Sequence, residues 1–183
     1  MQRISLAFWL LTFAGPVIAS ADEPATLTEK KQEHKPAVVK TTFLITGLHC
    51  PACTKTVEQS LQGVKGVKSA KVNWNSKNAH IEFDEQVVSA QRLSSIIAGT
   101  PHMMGGEMKY GGWLALKVSS LKADDAPAWN RLKETLGKVP GVKRVAVYQA
   151  QSSIGVEFVA KGDVKSQQLI AALAKAGFKA SNY

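Results

Sequence analysis

The sequence predicts an α+β fold built from two tandem β-α-β-β-α-β units, each an antiparallel sheet with two helices on one face. Three observations carry this prediction. Runs of period-two alternation are interleaved with stretches of helical period in the order strand, helix, strand, strand, helix. That order recurs when the chain is shifted by 75 residues. The composition is globular: of 183 residues, 45% are apolar and 20% charged, with only two cysteines, which excludes a disordered, collagen-like or disulfide-stapled chain. Beyond the first twenty residues no apolar run approaches the ~18 needed to cross a bilayer, which excludes a multi-span membrane protein.

The first residues read as an export signal. Met1-Gln2-Arg3 gives a short positive start, Ile4 to Ile18 is apolar, and Ala19-Ser20-Ala21 is a small-x-small cleavage site. Gly15-Pro16 breaks the run, and no Lys/Arg cluster follows to stop transfer. Residues 1–21 are therefore expected to be a cleaved signal peptide, with a periplasmic or secreted product that has no membrane span after cleavage. Residues 22–40 contain four acidic side chains, four lysines and two prolines, a composition that cannot bury enough area to offset its ordering entropy. They are expected to be a flexible linker, with His34 a solvated side chain.

Thr41 to Thr46 is a β-rich run closed by Gly47. Val57, Leu61 and Val64 share one helical stripe, which Gly63 or Gly66 ends. Val67 to Trp74 and Ala79 to Phe83 alternate around the turn residues Asn75-Ser76-Lys77-Asn78, giving a hairpin. Ser89 to Ala98 places Leu93, Ile96 and Ile97 at helical spacing, and a short closing strand is expected around Glu107 to Tyr110. This order is the split βαβ, or ferredoxin-like, unit. Shifted by 75, Leu61, Val64, Gly66, Val67, Lys68, Val72, Glu82 and Phe83 fall on Leu136, Val139, Gly141, Val142, Lys143, Val147, Glu157 and Phe158, eight identities. Gln167 to Gly177 repeats the second helix, and Phe178 to Tyr183 should close the second unit. Two copies make a duplication rather than a solenoid.

The chemistry concentrates in the first copy, at Gly47-Leu48-His49-Cys50-Pro51-Ala52-Cys53. Proline is favoured at the first helical position because its missing N–H would be unpaired there anyway. Cys50 is then the N-cap and Cys53 the third helical residue, with both sulfurs toward one side. Free backbone N–H groups and the positive end of the helix dipole favour thiolates there, and Lys55 adds to that field. Two soft thiolates on an exposed loop suit a soft ion, Cu(I) above all, with Hg(II) or Zn(II) as other cargo.

The segment from about Thr41 to Tyr110 resembles the heavy-metal-associated domain of copper chaperones, metal-pumping ATPases and periplasmic mercury-binding proteins. That family's signature is Gly-Met-x-Cys-x-x-Cys opening the first helix and Val-x-Gly-Val after it. This chain has Gly47-Leu48-His49-Cys50-Pro51-Ala52-Cys53 and Val64-Lys65-Gly66-Val67. The resemblance implies Cys50 and Cys53 as the metal ligands. Leu48 replaces the family's Met, a near-isosteric swap for an inward-facing side chain.

A second departure lies in the loop that the family places beside the cysteines, often with a Tyr or Phe. Here it reads Gly99-Thr100-Pro101-His102-Met103-Met104-Gly105-Gly106-Glu107-Met108. Met103 and Met104 sit between Pro and a Gly pair, where no regular element buries both. Thioether and imidazole suit Cu(I) and survive oxidation better than thiols, so His102, Met103 and Met104, with His49 beside Cys50, are candidate auxiliary ligands. His80 reads as a surface residue, and Trp74 and Trp129 as packing residues.

The expected organisation is thus a metal-binding domain over 41–111 and a degenerate copy over 112–183 without the cysteine pair. In the copy Cys50 falls on Asp125 and Cys53 on Ala128, and Asp124 and Asp125 read as helix caps before Pro127. Residues 113–183 hold eleven Lys+Arg against five Asp+Glu, so much of the formal charge of +9 sits there. These cations are spread without interleaved aromatics, which argues against a nucleic-acid partner. The expected function is an exported soft-metal binder with no catalytic residue, passing its ion to a metal transporter or another metal-binding protein. One alternative is a structural module whose Cys50–Cys53 disulfide merely closes a loop; the other is a periplasmic thiol–disulfide oxidoreductase using the same Cys-Pro-x-Cys pair. Against it, only one strand precedes the motif, and a hairpin follows the first helix.

Overall fold

The structure is a computed structural model and describes residues 37–183. The expected signal peptide 1–21 and the linker as far as residue 36, His34 included, lie outside the described residues. The elements run β1 (Val38–Thr46), α1 (Pro51–Gln62), β2 (Val67–Asn73), β3 (Asn78–Asp84), α2 (Ala90–Gly99), β4 (Gly111–Val118), α3 (Ala126–Gly137), β5 (Val142–Tyr148), β6 (Ser153–Phe158), α4 (Ser166–Lys175) and β7 (Ala180–Asn182). Helices α1 and α3, and strands β2 and β5, begin and end 75 residues apart, as the repeat frame requires.

Two boundaries differ from expectation. β1 starts at Val38 rather than Thr41, because Val38–Lys40 pair with Glu82–Asp84 of β3; the expected linker therefore stops short of these residues. Two adjacent β-branched valines, Val39 buried, favour the extended chain once a partner strand exists. The expected closing strand at 107–110 does not form: Glu107 ends a turn, closed by the Met108 N–H donating to the Gly105 carbonyl at 3.3 Å, and 108–110 are irregular. The next segment, β4, supplies the strand instead.

That substitution changes the architecture. The expected two antiparallel sheets are one seven-stranded sheet in the order β2-β3-β1-β4-β6-β5, with β7 also paired to β4. Residues 111–115 of β4 pair with β1, completing the first unit. Residues 114–117 of the same strand pair with β6, and 116–118 with β7, opening the second unit. β4 belongs to both copies, so the expected boundary at 111/112 falls at the beginning of a shared strand. Gly112, Leu114, Leu116 and Val118 turn to one face, where all four are buried, and a Cβ on Gly112 would meet Ile97 of α2. One continuous core follows, from Val39, Phe43 and Leu61 through Leu114 and Leu116 to Trp129, Leu136 and Leu173. The opposite face carries Trp113, over which the Arg144 guanidinium lies at 4.9 Å from the ring centroid. Arg144 and Lys143 also clasp Glu157 at 2.7 and 2.9 Å. Burial alone would raise the Glu157 carboxyl, but the hydrogen bonds and charges of those two cations outweigh it and hold the group below its usual range.

Two buried polar side chains of the first copy bind the backbone of the second. The Gln91 amide, fully buried at the start of α2, accepts from Val164 N–H at 3.0 Å and donates to the carbonyls of Val159 at 2.9 Å and Lys161 at 3.2 Å. Gly162, at φ +152°, leaves the space this amide fills: a Cβ there would lie 2.6 Å from Nε2. The buried Glu85 carboxylate accepts from the N–H groups of Ser166 and Gln167. Those donors open α4, where orphan N–H groups and the dipole favour an anion.

Candidate metal centre

The sulfur pair sits where β1 gives way to α1. Cys50 is the N-cap, in an extended conformation, and Pro51 opens the helix. The Cys53 N–H donates to Cys50 Sγ at 3.2 Å, the usual N-cap bond with sulfur in place of oxygen. Cys50 and Cys53 are joined as a disulfide, with Cα atoms 5.3 Å apart. Cys53 is fully buried beside Val57 and Leu61, whereas Cys50 is half-buried. One sulfur is thus seated in the core, and the other belongs to a residue that solvent partly reaches. Leu48 is buried, as expected of an inward-facing anchor, and His49 is exposed.

Gly47 starts this loop at φ +83°, and a Cβ there would collide with the Lys109 carbonyl oxygen. Only glycine combines that left-handed backbone with such close approach. Gly47→Ala is expected to cost about 1–3 kcal/mol, read as a lowered midpoint in urea unfolding, and to shift the amide resonances of Leu48 to Cys53.

The loop 101–110 does lie against the cysteine loop, as expected. His102 Nδ1 accepts from the Met104 N–H at 3.1 Å, so Nε2 carries the proton and donates to the Gly47 carbonyl at 2.9 Å. The ring meets His49 edge-on, centroids 5.6 Å apart, and lies 4.5 Å from the ring of Tyr110. Both nitrogens are thereby engaged by backbone, which makes His102 a brace for the loop in this structure; the expected ligand role would require it to give up one of these bonds. Met103 and Met104 are 58% and 61% exposed on a turn, in keeping with the absence of an element to bury them.

Two contacts at this end escaped the sequence analysis, those of Tyr110 and Lys77. Tyr110 is 2% exposed, and its hydroxyl is buried without a hydrogen-bond partner among the described residues. Lys77 donates to the Leu48 carbonyl at 3.0 Å and lies over the ring of Trp74. The hairpin turn residues read as local chain reversal, and no periodicity marks which loop the reversal will touch. Among the described residues no group of three or more His, Cys, Asp or Glu side chains converges on one point, so the donors at the helix start are the two sulfurs.

In the second copy Asp125 caps α3, its Oδ1 accepting from the Ala128 N–H at 3.1 Å. The carboxylate takes the place of the Cys50 sulfur and the buried Ala128 that of Cys53. Asp125 is thus a cap, as expected. Trp129 is buried, with its indole N–H on the Lys122 carbonyl at 2.8 Å, and His80 is exposed. Among the described residues no helix is long and apolar enough to cross a membrane.

Comparison with known proteins places these features. The heavy-metal-associated domain profile matches residues 42–101. Copper-transporting ATPase 2 of Rhizobium meliloti (strain 1021) is 30% identical over 156 residues, covering 84% of this chain and 18% of the ATPase. The chain therefore spans less than a fifth of that relative. Among solved structures, the water-soluble region of the P-type ATPase CopA from Bacillus subtilis aligns over 81% of this chain and 93% of its own, at 20% identity and a TM-score of 0.40. Oxidized MerP from Ralstonia metallidurans CH34 aligns over 43% of this chain and 97% of its own, at 26% identity and a TM-score of 0.37.

Proposed function

Residues 42–101 belong to the heavy-metal-associated domain family, and from that premise we propose that this chain is an exported carrier of Cu(I), held and handed on by the thiolates of Cys50 and Cys53. The observation that carries the reading is the placement of one half-buried and one buried sulfur at the start of α1, in a loop braced by Gly47 and His102. Opening the disulfide takes two electrons from a thiol donor. The dithiol then binds a soft cation and gives up two protons to solvent, and the helix N-terminus favours the resulting negative charge. A two-coordinate ion keeps open positions, so an incoming thiolate attacks at the more accessible Cys50 side and displaces the sulfurs in turn. No general base is required. The name of the matched ATPase favours copper as cargo, and Hg(II) and Zn(II) are the other ions this donor set accepts. The ion's next holder would be a metal transporter or another metal-binding protein. Export rests on the composition of residues 1–21.

The test is a Cu(I) titration of the phosphine-reduced protein against bicinchoninate, run beside turnover of a model disulfide. The carrier reading expects one tightly held Cu(I) and negligible turnover; turnover without metal uptake would establish the oxidoreductase instead. Met103 and Met104, exposed in the loop that His102 ties to Gly47, serve in this reading as outer thioether donors that shield the ion. Met103→Ser/Met104→Ser is expected to weaken Cu(I) binding by roughly three- to tenfold, as a weak third donor would. Unchanged affinity in the same competition removes the thioethers from the site.

A further inference from the structure

The β2–β3 hairpin reaches the cysteine loop through the Lys77 side chain. Its turn is held by Asn73, whose Oδ1 accepts from the N–H groups of Asn75 and Ser76 at 2.9 and 3.1 Å. Lys77 follows in the left-handed region, at φ 52°, a conformation uncommon for a residue with a long side chain. Two bonds hold it to the β1 end of the cysteine loop. Its carbonyl accepts from the Ile45 N–H at 2.8 Å, and its ammonium donates to the Leu48 carbonyl at 3.0 Å. The Trp74 ring lies against the ammonium, 2.9 Å from Nζ to centroid. Lys55 and Lys109, the other cations flanking the site, are exposed, whereas Lys77 is half-buried. A positive charge is therefore fixed by an acceptor and an aromatic face two residues from Cys50, where a cation–π contact and a carbonyl both oppose its departure.

We infer that Lys77 is a positioning residue that sets the charge preference of the metal site, favouring a monovalent over a divalent soft ion. This rests on the carrier reading above and deepens it. Two thiols that bind M⁺ release two protons and leave a complex of net charge −1. The same thiols binding M²⁺ release the same two protons and leave a neutral complex. A fixed ammonium attracts the first and is indifferent to the second. Because proton release is identical, any influence of Lys77 on thiol acidity acts equally on both ions and cancels in the ratio of their affinities. Loss of loop order also acts on both. The ratio therefore isolates the charge.

The experiment uses the reduced full chain as wild type, Lys77→Met and Lys77→Arg. Cu(I) affinity is measured against bicinchoninate and Hg(II) affinity against a competing dithiol. Lys77→Met is expected to lose Cu(I) affinity on the order of five- to tenfold, the size of one Coulomb interaction across a partly solvated loop, with Hg(II) affinity unchanged within about twofold on the same ground. Lys77→Arg should retain the wild-type ratio, since it keeps the charge. Retained Hg(II) binding also shows that the variant's loop is folded. Equal losses for both ions, or no loss for either, overturn the inference while leaving the carrier reading intact. A wild type that binds Cu(I) no better than Cys50→Ser/Cys53→Ser overturns both.

Discussion

Cys50→Ser/Cys53→Ser is expected to abolish tight Cu(I) binding, with affinity falling by roughly a hundredfold for each sulfur removed. Thiolate metal sites with four ligands hold Zn²⁺ with an apparent 10–16 kcal/mol, roughly 3 kcal/mol per ligand, and about 1.4 kcal/mol is a factor of ten. A hydroxyl is no substitute, because it stays protonated at neutral pH and is a hard donor for a soft ion. The single variants should differ. Cys53 is buried at the core edge whereas Cys50 is half-buried, so Cys53→Ser places a hydroxyl among apolar side chains and also lowers stability. Cys50→Ser keeps a good N-cap, because serine accepts from the Cys53 N–H as the sulfur does now. Chelator competition together with urea unfolding separates the two effects. Retention of tight Cu(I) binding by the double variant would place the metal elsewhere.

The second large effect concerns the seam between the copies. Glu85→Ala leaves the opening N–H groups of α4 without their buried acceptor and is expected to cost about 2–4 kcal/mol. In a chain of this size that lowers the melting temperature by roughly 5–15 °C. Gln91→Met, close in volume, strands one N–H and two carbonyls and should cost a similar amount on the same grounds. Because β4 is common to both copies, melting should remain one cooperative transition, and Cu(I) affinity below it should stay near wild type. A loss under ~1 kcal/mol would mean that water replaces these contacts without cost. Two resolved transitions would mean that the copies unfold separately.

The repeat was legible because its signals are local. The Val-Lys-Gly-Val turn at Val64–Val67 and its counterpart Val139–Val142 both end a helix and begin a strand, and Gly66 and Gly141 take positive φ of 96° and 95°. The sulfur site was legible for the same reason: Gly47, Pro51 and the cysteine spacing each dictate local backbone geometry. The loop around Met103 was half legible. Its composition showed that nothing would bury both methionines, but the bonds that occupy both His102 nitrogens come from Gly47 and Met104, and the first of these is distant in sequence.

Residue by residue, the chain alone determined two α+β copies, the helix caps at Cys50 and Asp125, and the pairing of two sulfurs at one helix mouth, because periodicity, proline and glycine act within a few residues. Only the tertiary structure decided that β4 serves both copies, that Val38–Lys40 join the sheet, that Glu85 and Gln91 fasten the seam, and that Lys77 comes to rest beside the cysteine loop. Each of those depends on strand partners and buried acceptors brought together from far along the chain, and a hydrogen bond between distant residues leaves no period for the sequence to display.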